Sequence, residues 1–227
     1  MLKVKIQNPL IRLEGVWMHF DSRVLFCGIS HVFSKGEKIL LIGPSGSGKS
    51  TFLKLLSGLI SPSEGKIGYH TDRMIDTREN IFSSFYRAHI GVFLNDALFF
   101  EKNTVADNIL FPALFWRYQY RKEFLDELTI SFEIAALLKK TVSSLSSGER
   151  ERVNLVRMFL YEPTILFLDE PFSHLDMRLS LIGRDFLSKY SASRDTTLVI
   201  ATHSPEIFPE CTREIHFPID HPFHITE

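Results

Sequence analysis

The chain has 227 residues, 44% hydrophobic and 23% charged, which is enough apolar material to bury a sizeable core in one globular domain. A formal net charge of -1 supplies no electrostatic basis for nucleic acid as the main partner. The 2 cysteines, Cys27 and Cys211, are too isolated for a disulfide framework or a zinc site, so a reducing, cytosolic compartment is the simpler reading.

The N-terminal stretch MLKVKIQNPLIRLEGVW lacks the continuous apolar segment of a signal peptide. The longest apolar run, ILFPALFW at 109–116, falls far short of the roughly 20 residues a membrane-spanning helix needs. The chain is therefore expected not to cross a membrane by itself.

In chain order, the first 35 residues read as short extended pieces broken by HFDSR and FSKGEK, which predicts a small antiparallel sheet. KILLIG at 38–43 predicts a strand, and 49–60 carries helical spacing. HIGVFL at 89–94 predicts a second strand. From about 97 to 145 the sequence is helix-rich without a clear strand, which predicts an inserted helical subdomain; with the helix at 147–161 it extends to about 160. TILFLD at 164–169 and TTLVIAT at 196–202 complete the strands. Continuous branched-apolar runs suit strands covered on both faces, so the expected class is α/β with a parallel sheet, read as one domain over 1–227.

Two motifs carry chemistry. GPSGSGKST, comprising Gly43, Pro44, Ser45, Gly46, Ser47, Gly48, Lys49, Ser50 and Thr51, fits G-x-x-x-x-G-K-[ST] between a strand and an apolar-periodic helix, the context that a P-loop requires. Its glycines let backbone N–H groups and the helix N-terminus face phosphate oxygens. Lys49 is placed to reach the β and γ phosphates, and the Ser50 hydroxyl to hold Mg²⁺. Further on, TILFLDEP brings Asp169 to the C-terminal edge of a buried strand, where α/β ligand sites lie. Asp169 is expected to hold Mg²⁺ through water, and Glu170 to orient or deprotonate the attacking water.

LSSGERERVNLVRMFLYEP, running directly into that strand, resembles the signature of the ATP-binding cassette (ABC) ATPases, usually written LSGGQ. Ser146, Ser147, Gly148 and Glu149 stand at the signature positions, and locally the same residues read as an N-capped helix beginning at Ser146 or Ser147. The resemblance implies a P-loop NTPase (RecA-like) core and a second phosphate cradle facing the P-loop of a partner subunit. Ser147 replaces the usual first glycine of the signature and is expected to preserve binding, because serine adopts most glycine conformations except those with positive φ.

Further matches follow in order. SHLD, ending at Asp176, stands where the family has the D-loop that communicates between two ATP sites. VIATHSPE places His203 at the family's switch histidine, which contacts the γ-phosphate. Phe20 lies where an aromatic commonly stacks on adenine, with Trp17 close by. The resemblance covers about residues 13–205.

It implies an ATP-binding, ATP-hydrolysing subunit of an ABC transporter, requiring ATP and Mg²⁺, working as a homodimer or heterodimer around two ATP. A separate membrane permease would dock on the helical subdomain, leaving this chain peripheral at the cytoplasmic face of the membrane. Phe99, Phe100, Phe111, Phe115, Trp116, Tyr118 and Tyr120 are candidates for that groove or for subdomain core. Two other readings stand beside it: a weakly hydrolysing regulatory cassette in a heterodimer, and a soluble ABC ATPase acting on DNA or ribosomes. The chain lacks the coiled-coil or zinc insertion, the second cassette and the basic surplus of the latter class.

One departure bears on rate. The family follows the strand matching IGVF with a glutamine that contacts Mg²⁺ and the attacking water, whereas Leu94 holds that position here and the only glutamines are Gln7 and Gln119. In extended chain Asn95, one residue on, would point the opposite way unless the loop twists. Hydrolysis is expected to be slowed, by roughly ten- to hundredfold for one lost polar contact, rather than abolished.

Overall fold

The computed structural model describes residues 10–20, 23–70, 74–77, 88–116, 119–211 and 213–219. Two sheets form. Strands β1 (Ile11–Phe20), β2 (Arg23–Phe33), β4 (Glu64–His70) and β5 (Met74–Asp76) make an antiparallel sheet in the order β2-β1-β4-β5. Strands β3 (Lys38–Ile42), β6 (Ile90–Phe93), β7 (Ile165–Asp169), β8 (Thr197–Thr202) and β9 (Arg213–His216) make a parallel sheet in the order β6-β7-β8-β3-β9. The antiparallel sheet is thus not confined to the first 35 residues: β4 and β5 arrive after the P-loop helix and pair with β1.

Side-chain alternation along the parallel strands sorts their apolar residues onto two cores. Leu40, Leu166, Leu168, Leu198 and Ile200 face one core, which they share with the helical region. Ile39, Leu41, Ile165, Phe167, Val199 and Ala201 face the other, which they share with the antiparallel sheet and α1 (Lys49–Leu56). Both faces are covered, so every residue of β7 and β8 is buried, and continuous apolar runs were the signal to expect.

The helices on the first face are α2 (Val105–Trp116), α3 (Lys122–Ser131), α4 (Ser147–Phe159) and α5 (Met177–Arg194). Pro112 lies inside α2, and Tyr161 enters the opened ladder there: its hydroxyl accepts from Ala113 N–H at 3.0 Å and donates to the Ile109 carbonyl at 3.1 Å. Helix α4 starts with a capping box in which Ser146 Oγ accepts from Glu149 N–H and Glu149 Oε2 accepts from Ser146 N–H. The loop that runs from β6 to α2 is fastened to α4 by side chains. Asn154 donates to the Leu94 carbonyl at 3.4 Å, and Arg157 donates to the Leu98 carbonyl at 2.8 Å while lying 4.4 Å from the Phe99 ring centroid. Burial lowers the Arg157 pKa to about 10.

Candidate nucleotide site

The P-loop turns from β3 into α1 through Gly48, whose φ of 105° is open to glycine alone at low cost; a Cβ there would also lie 3.2 Å from Leu25 Cδ1. That turn delivers Lys49, only 7% exposed, into the cavity, where its ammonium donates to the Gly43 carbonyl at 2.6 Å and the Pro44 carbonyl at 3.1 Å. Across from it, β7 ends at Asp169, just before Glu170, and β8 ends just before His203. Because β7 and β8 are hydrogen-bonded neighbours in register, with Asp169 opposite Ala201, their C-terminal ends hold these side chains at the same edge.

A cavity of about 710 Å³ opens there, lined by Ser45 to Thr51 with Leu25, Asn95, Asp169, Glu170 and His203. Its size falls within the range of small-molecule sites, roughly 300–1,000 Å³. A second space of about 480 Å³ adjoins the P-loop and is lined by Val24, Leu25, Cys27, Pro44 to Ser47, Pro218 and Ile219.

His203 Nδ1 lies 2.8 Å from Glu170 Oε2, joining the two strand ends. Burial pushes the Asp169 carboxyl up from the ordinary range, while the adjoining Ser50 hydroxyl and the positive charges of Lys49 and Lys54 favour its ionised form. Among the described residues no group of three or more His, Cys, Asp or Glu side chains could hold a metal alone. Ser50 and Asp169 instead offer two adjoining hard oxygen donors, the kind of set on which Mg²⁺ completes its shell with water and phosphate oxygens.

The sequence-derived residues distribute unevenly. Ser45 through Thr51, Asp169, Glu170 and His203 converge on the cavity; Gly43 and Pro44 contribute the carbonyls that hold Lys49. Ser146, Ser147, Gly148 and Glu149 form the N-terminus of α4 and do not line that cavity. Asp176 caps α5, its carboxylate accepting from Leu179 N–H at 2.9 Å. Phe20 ends β1, and its side chain lies outside the described residues.

The loop after β6 twists, which sets the directions of Leu94 and Asn95. The strand stops at Phe93 and residues 95 and 96 form a turn, so strand alternation no longer governs direction. Asn95 lines the nucleotide cavity. Leu94 lines a smaller space of about 160 Å³ beside α4, which Asn95 also borders. Leu25 is the other contributor that pattern reading missed; nothing about a leucine within an alternating strand marks it.

A parallel α/β sheet with a P-loop at its C-terminal edge, faced by an Asp-Glu strand end and a histidine, is a P-loop NTPase fold. The ABC transporter family model matches residues 26–173, and the chain belongs to that family. It is 31% identical over 202 residues to a sulfate/thiosulfate import ATP-binding protein of Agrobacterium fabrum, covering 86% of this chain and 57% of that one. It is 28% identical over 214 residues to the ATP-binding protein of a lipoprotein-releasing system of Leptospira interrogans, covering 92% and 89%. The chain spans about half the length of the first curated relatives it matches. Its fold superposes with a TM-score of 0.78, at 23% identity, on an ATP-binding cassette solved as a dimer in a post-hydrolysis state with ADP and phosphate, covering 92% of this chain and 94% of that one.

Proposed function

We propose that the chain is the ATP-binding and ATP-hydrolysing subunit of an ABC transporter, acting over residues 1–227 as one domain. The observation that carries this reading is the convergence of Lys49, Ser50, Asp169, Glu170 and His203 on one cavity. Lys49 exchanges its two carbonyl partners for the β and γ phosphates of ATP, and the P-loop N–H groups and the α1 N-terminus bind the remaining oxygens. Ser50, and Asp169 through water, would hold Mg²⁺, which would supply charge neutralisation at the phosphates. Glu170 accepts a proton from the attacking water, while the His203 ring, 2.8 Å from Glu170 Oε2, orients that carboxylate and meets the γ-phosphate. Asn95 adds a neutral carboxamide on the cavity wall, in place of the glutamine that is missing at residue 94. The space lined by Val24, Leu25 and Cys27 suits the base, with Phe20 proposed as the ring that stacks on it.

Ser146, Ser147, Gly148 and Glu149 are not on that cavity, which supports a dimer, of identical or related subunits, in which this helix end and Asp176 serve the partner's ATP. Loss of the γ-phosphate reopens the dimer, and that motion drives a separate permease. Nucleic acid has no part in it.

Three aromatic rings support the docking surface: Phe100 and Phe111 lie 4.6 Å apart and Phe111 and Phe115 5.6 Å, all substantially exposed, with Leu98 and Leu114 also exposed. Phe99 instead packs under Arg157 and against the core, and Tyr120 is exposed. The side chain of Trp116 and all of Tyr118 lie outside the described residues. Among the described residues no helix is long and apolar enough to cross a membrane; the proposed place of the chain is peripheral, at the cytoplasmic face beside its permease.

Phosphate release from Mg-ATP by the chain, alone and with its co-expressed permease, tests the reading. Hydrolysis is expected, together with its loss on Glu170→Gln with ATP binding retained. Absence of hydrolysis in both preparations, or indifference to Glu170→Gln, would refute it.

A further inference from the structure

The turn after Glu170 holds two non-glycine residues in the left-handed region, Glu170 at φ 47° and Phe172 at φ 78°. Such conformations persist only where the surroundings enforce them. Part of the enforcement is apolar: the Phe172 ring is buried against Phe208 and sits so close to Gly183 that a Cβ there would meet it at 2.6 Å.

The other part is one buried carboxylate. Glu151 lies on α4 with a side chain only 4% exposed, and its Oε2 accepts from His174 N–H at 3.1 Å and lies 2.7 Å from His174 Nδ1. Gly148, three residues earlier and so on the same helical face, takes the other side of His174: a Cβ at Gly148 would stand 2.9 Å from the His174 carbonyl. Neighbouring guanidinium groups are engaged elsewhere, Arg150 with Glu101 and Arg152 with the Phe132 and Glu133 carbonyls. Among the described residues Glu151 Oε1 is buried with no hydrogen-bond partner. A carboxylate so placed costs stability, and what it holds is the turn.

We infer that Glu151 is a positioning residue for Glu170: by pinning the turn from Pro171 to His174 onto α4, it fixes where the Glu170 carboxylate meets His203. Since α4 begins at the Ser146 cap, the same contact ties that placement to the helix end carrying the signature residues. The inference rests on the proposed role of Glu170 toward water.

The test compares Glu151→Ala, Glu151→Gln and His174→Ala in the full chain, reading phosphate release, binding of a fluorescent ATP analogue, and amide hydrogen exchange. Glu151→Ala is expected to lower kcat ten- to hundredfold, the scale on which a remote misplacement is felt, with nucleotide affinity unchanged. Exchange should rise across 170–176 and stay constant across 43–51. Glu151→Gln keeps an acceptor oxygen and is expected to recover most of the rate; His174→Ala, which keeps the backbone N–H bond, should fall between. A kcat within threefold of wild type for Glu151→Ala, a parallel loss of affinity, or failure of glutamine to rescue overturns the inference. If Glu151→Ala does not fold, a His174→Ala chain with the wild-type rate and exchange overturns it. If the wild type hydrolyses nothing, the Glu170 role fails separately, and unchanged exchange at 170–176 in Glu151→Ala overturns the pinning.

Discussion

Residues 94 and 95 give opposite predictions according to whether sequence position or geometry decides. Asn95 is exposed at the cavity wall, so in the free chain its carboxamide is solvated. Truncation to alanine then removes one polar contact without orphaning a buried group, which places the loss near the low end of about 1–3 kcal/mol, or roughly five- to tenfold in rate. Leu94→Gln instead turns a carboxamide toward a small space that Phe93, Ala97 and Phe99 share with Ser147, Arg150, Asn154 and His174, where polar partners are at hand. Because that space is not the P-loop cavity, the substitution is expected to change thermal stability by less than about 1 kcal/mol and to leave hydrolysis within twofold of wild type. Steady-state phosphate release at saturating Mg-ATP, with melting curves for both variants, decides. An increase in rate for Leu94→Gln, together with no change for Asn95→Ala, would refute the argument and restore residue 94 as the coupling position.

Glu170→Gln should retain ATP affinity and accumulate as an ATP-bound dimer, seen as a doubled mass by light scattering; Lys49→Ala should bind no ATP and stay monomeric. Phe111→Ala with Phe115→Ala should abolish co-purification with the permease while leaving the basal ATPase intact. Glu151 has a carboxyl pushed up by burial, only partly opposed by His174, so its ionised form disfavours the fold. That penalty is absent below the unfolded value of about 4.3, grows as pH rises toward the raised folded value, and is complete above it. Glu151→Gln should therefore raise the Tm at pH 8, with the gain shrinking toward pH 4; a constant difference across that range would contradict the assignment.

How legible each element was depends on what covers it. β3, β7 and β8 were plain because burial on both faces leaves no polar alternation to confuse with helix. β4, EGKIGYH, mixes charge and glycine, and its place is set by β1, far earlier in the chain. β9, REIH, is a four-residue edge strand with one buried residue. Helix α5 buries only Gly183, Leu187, Tyr190 and Ser191 and so presents no wide apolar stripe; its contact at Gly183 depends on a missing side chain, which hydropathy cannot register. The predicted helices at 49–60 and 147–161 end at Leu56 and Phe159, and the strand at 89–94 stops one residue early, at Phe93. That early stop is what lets Asn95 turn onto the cavity, while the P-loop and the Asp-Glu pair were legible because their chemistry is local in sequence.

The two-sided sorting of the parallel strands makes β7 intolerant of any change in length. Inserting one residue between Ile165 and Leu168 would carry Leu166 or Phe167 from one core to the other and rotate Asp169 away from Ser50 in the same stroke. A deletion would do likewise. Stability and catalysis are thus encoded in a shared reading frame along five residues, so drift in this strand should proceed by substitution, with length variation relegated to the loops.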